Sequence, residues 1–308
     1  MPRRVQPKRG QPEGGQPEGA QPKRAQSDGA ALARKRTRSS TISSTGSNRV
    51  PARITGDIVD VGPNDWSKFV QKNKLLVDKT DLLLEVMKYD SSDIIFRPRR
   101  FGKTMFLNMA HDFLNVAETE EELAERKRIF EEMSVHSADP TFVDEHCGKY
   151  PVIYLNLKDV RPTTLDQFRS KIARAISMVT DKWEHVISNT LRTSLNRIRG
   201  RLNRKIDNMH NSIDDSVMIP AELVDYLSEY YNAECIVLVD EFDAPVINAP
   251  EGIREEVRGY MRDLLSPVAK DNKKVRKFIM AGIDPVNFNT LESGLNNCEP
   301  YPLHKHSD

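Results

Sequence analysis

Four short apolar runs constrain the fold of this 308-residue chain more than any other feature. They are SDIIF from residue 92, PVIYLNLKD from 151, CIVLVD from 235 and KFIMAGI from 277. Each reads as a strand, and Pro151 suits a strand's first residue, where no ladder N–H is needed. The segments between them have helical spacing: DLLLEVMKY from Asp81, the stretch after Gly102, and Glu118 to Arg128. Leu165 to Val179, with Phe168, Ile172, Ile176 and Val179 on one face, continues the pattern, as do Leu223 to Tyr231 and Ile253 to Leu265. Strands separated by helices predict an α/β fold, a parallel sheet with helices on both faces.

Charge divides the chain. Its 46 Lys and Arg nearly balance 45 Asp and Glu, but residues 1–55 hold 12 against 3 and residues 56–308 hold 34 against 42. A basic tail therefore precedes an acidic body. Residues 6–30 run QPKRG QPEGG QPEGA QPKRA QSDGA, a five-residue period without large apolar side chains. Such a segment cannot bury enough surface to offset its chain entropy, so residues 1–55 are expected to be disordered. The folded domain is expected over 56–297. Residues 298–308, CEPYPLHKHSD, show no core pattern and are expected to be a short unstructured end.

The pairs Lys23-Arg24 and Lys35-Arg36-Thr37-Arg38 have the spacing of a bipartite nuclear import signal. The nucleus is the expected location if the source is eukaryotic, and the cytoplasm otherwise. The same tail would attract nucleic acid or another polyanion. Three cysteines, Cys147, Cys235 and Cys298, are too few and too scattered for a disulfide scaffold or a metal cluster. No apolar stretch approaches the roughly 18 residues of a membrane span, so a soluble intracellular protein without a membrane partner is expected.

The chemistry concentrates at two strand ends. Phe101-Gly102-Lys103-Thr104 lies between a strand and a helix N-terminus, where backbone N–H groups point at an anion. In this Walker A-like loop, RPRRFGKT, Lys103 would reach the β/γ-phosphates and Thr104 would ligate Mg²⁺. Arg97 stands where the consensus has glycine. The second half is IVLVDE, four apolar residues running into Asp240 and Glu241. A buried strand that ends in adjacent carboxylates is costly unless they meet a cation. Asp240 would hold the metal and Glu241 would polarise the attacking water. The fourth strand delivers Ala281, which has no polar group to sense a γ-phosphate, with Asp284 beyond it. Arg97, Arg99 and Arg100 either neutralise transition-state charge or pair with acids of the body such as Asp243. Thr190 to Ile206, with six basic residues and no acid, is either a solvated helix face or a nucleic-acid contact.

These residues resemble the predicted AAA-ATPase-like proteins. The similarity is carried by VDKT at 77–80, RPRRFGKT at 97–104, PVIYLNLKD at 151–159, DEFDAP at 240–245 and SGLNN at 293–297. It implies a P-loop NTPase domain that binds ATP and Mg²⁺, with Arg99 to Thr104 on the nucleotide, Thr104 and Asp240 on the metal and Glu241 catalytic. In many members a PD-(D/E)XK-type nuclease domain follows. This sequence departs by ending at Asp308, by Ala281-Gly282-Ile283 in place of Thr-Gly-Ile, and by an insertion around Thr190 to Asn211. A truncated or remodelled gene product is expected on that ground. The reading is an ATP-binding module with weak hydrolysis, capable of self-association. The alternatives are an interaction module without turnover and a nuclear nucleic-acid-binding protein.

Overall fold

The computed structural model describes residues 66, 78–88, 92–188, 195–208, 213–270, 272–283 and 298–300. The tail over 1–55, its two basic clusters, Asp284 and the segment 293–297 lie outside the described residues. Helix α1 (Leu82–Lys88) leads into β1 (Ser92–Phe96), and α2 (Lys103–Leu114) follows the loop after it. Helices α3 (Glu120–Glu131), α4 (Ser134–Ala138) and α5 (Phe142–His146) precede β2 (Val152–Asn156). Helices α6 (Leu165–Lys182), α7 (Glu184–Ser188), α8 (Asn196–Asn208) and α9 (Ile213–Tyr231) come before β3 (Cys235–Asp240). Then α10 (Ala244–Ile247) and α11 (Glu251–Ala269) lead to β4 (Val275–Gly282), and β5 (Cys298–Pro300) completes the sheet.

The strand order is β2-β3-β4-β1-β5, and every neighbouring pair is parallel. The chain passes from β1 to the far edge at β2, returns through β3 and β4, and crosses β1 to form β5. Strand order reverses at β1, which makes the crevice at its C-terminal end the favoured place for a ligand.

All six residues of β3 are buried, because helices cover both faces of the sheet. Ile236 and Leu238 point to the layer of α1 to α5, where they join Leu107, Phe113 and Phe130. Val237 and Val239 point the other way, into Phe168, Ile172 and Ile176 of α6, Leu223 and Leu227 of α9, and Met261 and Leu264 of α11. Each such side chain contributes about 1.5–3 kcal/mol relative to exposure. Helix α6 begins where Thr164 accepts a hydrogen bond from the Gln167 N–H, an N-cap that satisfies one orphan donor.

Asp78 and Thr80 of the lead-in staple the first layer together. One Asp78 oxygen accepts from the Thr80 N–H at 2.9 Å and hydroxyl at 2.8 Å, and the other accepts from the Ser134 N–H at 2.7 Å. The Thr80 hydroxyl oxygen in turn accepts from the Val135 N–H at 3.1 Å.

Two expectations are corrected, and four short helices are added. The helix expected from Leu223 begins at Ile213 and carries Pro220 inside it. The short helices α4, α5, α7 and α10 went unpredicted, since four or five residues display no periodicity. Residues 298–300 are not unstructured: they form β5, pairing Cys298 with Ser92, and the Cys298 side chain is buried. The described part of the basic stretch, 195–206, lies mostly in α8. Two of its cations are turned inward to acids of α9: Arg201 to Glu222 at 2.9 Å and Asp225 at 3.6 Å, and Lys205 to Asp215 at 3.5 Å.

Candidate functional site

The loop from Arg97 to Gly102 joins β1 to α2. Gly102 sits at the N-cap of α2 with φ +83°, a left-handed conformation that glycine adopts without strain. A Cβ there would meet nothing within 4 Å, so the backbone angle and not crowding favours glycine. Arg100 also has positive φ, +69°. The two turns swing the chain so that α2 begins directly beneath the loop. No side chain caps α2, which leaves its first N–H groups and the positive end of its dipole available to an anion.

Lys103 is buried, 6% exposed. Its ammonium donates to the carbonyl of Arg97 at 2.8 Å and of Pro98 at 3.2 Å. The loop thus wraps its own cation. Arg99, Arg100 and Phe101 are exposed along its rim, Phe101 at 64%.

Asp240 closes the site from β3. The Thr104 hydroxyl donates to its Oδ2 at 2.8 Å, which ties the first turn of α2 to the strand end. Asn156 Nδ2 at 3.3 Å and Tyr154 Oη at 3.4 Å approach the same oxygen from β2. Asp240 is 1% exposed, yet its Oδ1 has no hydrogen-bond partner among the described residues. Burial pushes the Asp240 carboxyl above its ordinary range, against the Thr104 hydrogen bond and the Lys103 charge. A buried carboxylate with an orphaned oxygen is costly on its own and favourable beside a cation. With the Thr104 hydroxyl it makes an all-oxygen donor set of the kind magnesium takes.

Glu241 adopts φ +53°, which turns it off the strand line immediately after Asp240. Burial pushes its carboxyl up, and the adjacent Asp240 charge adds to the shift. Two residues on, Asp243 is 1% exposed and accepts from the Ile283 N–H at 2.6 Å. Gly282 makes that approach feasible: a Cβ would come within 2.5 Å of the Phe242 ring and 3.0 Å of the Asp243 carboxyl. Ala281 lies opposite Asp240 in the sheet and is fully buried. Cysteine chemistry has no support, because burial raises the Cys147 and Cys298 thiols to about 11 and the Cys235 thiol to about 12.

The structure brings together Lys103, Thr104, Asp240 and Glu241, and places Arg99, Arg100, Phe101 and Gly102 around them. Sequence reasoning missed Tyr154 and Asn156, and named Asp243 only as a partner for the loop arginines, whereas it accepts from the Ile283 N–H. The polar alternation of Tyr154 and Asn156 inside an apolar strand was a signal for the first two, since both fall on one face.

A five-stranded parallel sheet with helices on both faces and this strand-end site is a P-loop NTPase-like fold. The family model for the Predicted AAA-ATPase matches residues 60–292, and the chain belongs to that AAA-ATPase-like family. One curated relative, "Uncharacterized protein in vnfD 5'region" of Azotobacter chroococcum mcd 1, is 25% identical over 226 residues, 72% of this chain. The match spans only 36% of that relative's length. No solved structure matches. Among the described residues, no helix is long and apolar enough to cross a membrane.

Proposed function

We propose that this module binds ATP with Mg²⁺ at the Gly102–Thr104 loop and hydrolyses it slowly. The observation that carries the reading is the 2.8 Å link between Thr104 and Asp240, beside a buried Asp240 oxygen with no hydrogen-bond partner among the described residues. Thr104 and Asp240 would hold the cation, whose bound charge offsets that of the phosphates. Lys103, on leaving the carbonyls of Arg97 and Pro98, meets the β- and γ-phosphate oxygens, and the α2 N–H groups cradle the same anion. Glu241 takes a proton from the water that attacks the γ-phosphorus as ADP leaves. Its raised proton affinity moves it toward the working range of a general base. Arg99 and Arg100 stand at the rim to balance charge.

A second reading, a nucleotide-dependent interaction module without turnover, draws on Ala281. A buried methyl opposite Asp240 offers the transition state no hydrogen bond. Binding of nucleic acid through the body is less favoured, because Arg201 and Lys205 are already paired with acids.

Single-turnover hydrolysis of ATP by the full chain separates the two. Parent turnover below about 10 s⁻¹, the enzyme median, is expected, with Glu241→Gln at background while ATP binding is kept. A Glu241→Gln variant that hydrolyses as fast as the parent removes Glu241 from the mechanism. A parent that binds ATP without turnover establishes the interaction module.

A further inference from the structure

Tyr154 and Asn156 belong to β2, the strand on the far side of β3 from the phosphate loop, and neither is part of the loop-and-acid pair. Asn156 is the register partner of Asp240. Tyr154, two residues earlier, lies on the same face and about 6.6 Å further down the strand, a distance that a tyrosine spans but a shorter side chain does not. Both donors converge on Oδ2 of Asp240, at 3.4 Å from Tyr154 and 3.3 Å from Asn156. Thr104 already holds that oxygen at 2.8 Å. Three donors thus crowd one carboxylate oxygen, while the other, equally buried, has none among the described residues.

Such a lopsided distribution is costly for a carboxylate that only fills space, since an unmet buried acceptor is destabilising. It suits one whose free oxygen is reserved. We infer that Tyr154 and Asn156 are positioning residues that hold Oδ2 of Asp240 and so direct Oδ1 at the divalent cation of the nucleotide complex. The inference rests on the reading of this site as an MgATP site. The Tyr154 ring is itself held: His111 lies at 5.9 Å between centroids, and the Lys182 ammonium stands 5.9 Å above the ring. Removal of the hydroxyl alone therefore leaves the ring packed. Among the described residues neither side chain hydrogen-bonds to the Arg97–Gly102 loop, so the inference has their effect reach the nucleotide through Asp240.

The test is calorimetric ATP binding to the full chain, once with Mg²⁺ and once with EDTA. The ratio of the two affinities is the gain from the metal. Tyr154→Phe should reduce that gain two- to threefold, and Tyr154→Phe with Asn156→Ala should reduce it three- to tenfold. Affinity without metal should stay within twofold of the parent in both, a pattern that general loosening of the site would not produce. In an Asp240→Asn background the gain should be gone, and Tyr154→Phe should add nothing. A double variant with the parent's full metal gain overturns the inference, as does equal loss with and without metal. A parent that shows no ATP binding, or no metal gain, overturns instead the functional reading on which it rests.

Discussion

Two buried carboxylates on the same face of one sheet have opposite fates. Asp93, at the N-terminal end of β1, is 5% exposed and meets the Lys277 ammonium at 2.7 Å, with both side chains almost fully enclosed. Asp240, at the C-terminal end of β3, is 1% exposed and has hydroxyl and amide donors on one oxygen and, among the described residues, no hydrogen-bond partner on the other. The first charge is neutralised within the chain. The second is left to be neutralised by something that arrives. Both are costly to bury, and only the compensated one is explained by the fold alone.

The sharpest way to break this comparison is to remove compensation from the first site. Lys277→Met takes the cation away from the buried Asp93 carboxylate and should lower stability by about 3–5 kcal/mol in urea denaturation. A second change, Asp93→Leu, should recover most of that loss, because an apolar replacement of the whole pair is close to neutral. A loss below about 1 kcal/mol for Lys277→Met would show that water reaches this end of the sheet, and the contrast would collapse.

Next comes the packing that seals the polar end. Gly282→Ala forces a Cβ into the Phe242 ring and the Asp243 carboxyl. Overpacking of this kind costs about 1–3 kcal/mol, so a matching fall in denaturation midpoint is expected.

Asp240→Asn should have the opposite sign. It deletes a buried charge whose burial outweighs the Thr104 hydrogen bond and the Lys103 charge, and should stabilise the free protein by about 1 kcal/mol, a rise in Tm of about 2–4 °C. A fall in Tm would place Asp240 with Asp93 as a structural group.

The smallest effect is in pH. Asp240 and Glu241 both bind their protons more tightly when folded, since burial raises both. Their contribution is therefore most favourable at low pH and is lost as pH rises from the unfolded carboxylate range through the raised folded values. A bound cation relieves that penalty only when the groups are ionised. MgATP should therefore raise Tm more at pH 8 than at pH 5, and an equal rise at both would separate these carboxyls from the ligand.

How much of this was readable in the sequence follows from what each feature depends on. Strands β1 to β4 were legible because each is an apolar run between helical segments. The loop residues Gly102, Lys103 and Thr104 and the acids Asp240 and Glu241 were legible because their chemistry is local, a fixed spacing at a strand end. Tyr154 and Asn156 were legible only as polar residues sharing one face of an apolar strand; their role depends on register with β3, which no spacing within one strand reveals. The orphaned Asp240 oxygen is likewise a property of three elements at once, β3, α2 and β2. Helix α9 was read too short because Pro220 looks like a boundary and instead sits inside the helix. Strand β5 has three residues and gains its place only from the open edge of β1. The arginines were legible as a cluster but not in their geometry: Arg97 acts here through its carbonyl, toward Lys103, while Arg99 and Arg100 face outward.

The central claim is that the Gly102–Thr104 loop and Asp240 form one nucleotide site, and Lys103 tests it most directly. Its ammonium is held by two backbone carbonyls in the free protein, and the account has it exchange these for phosphate oxygens. Calorimetric titration of MgATP into the full chain and into Lys103→Ala should show at least a tenfold loss of affinity, about 1.4 kcal/mol. Equal affinity in the two proteins would contradict the account.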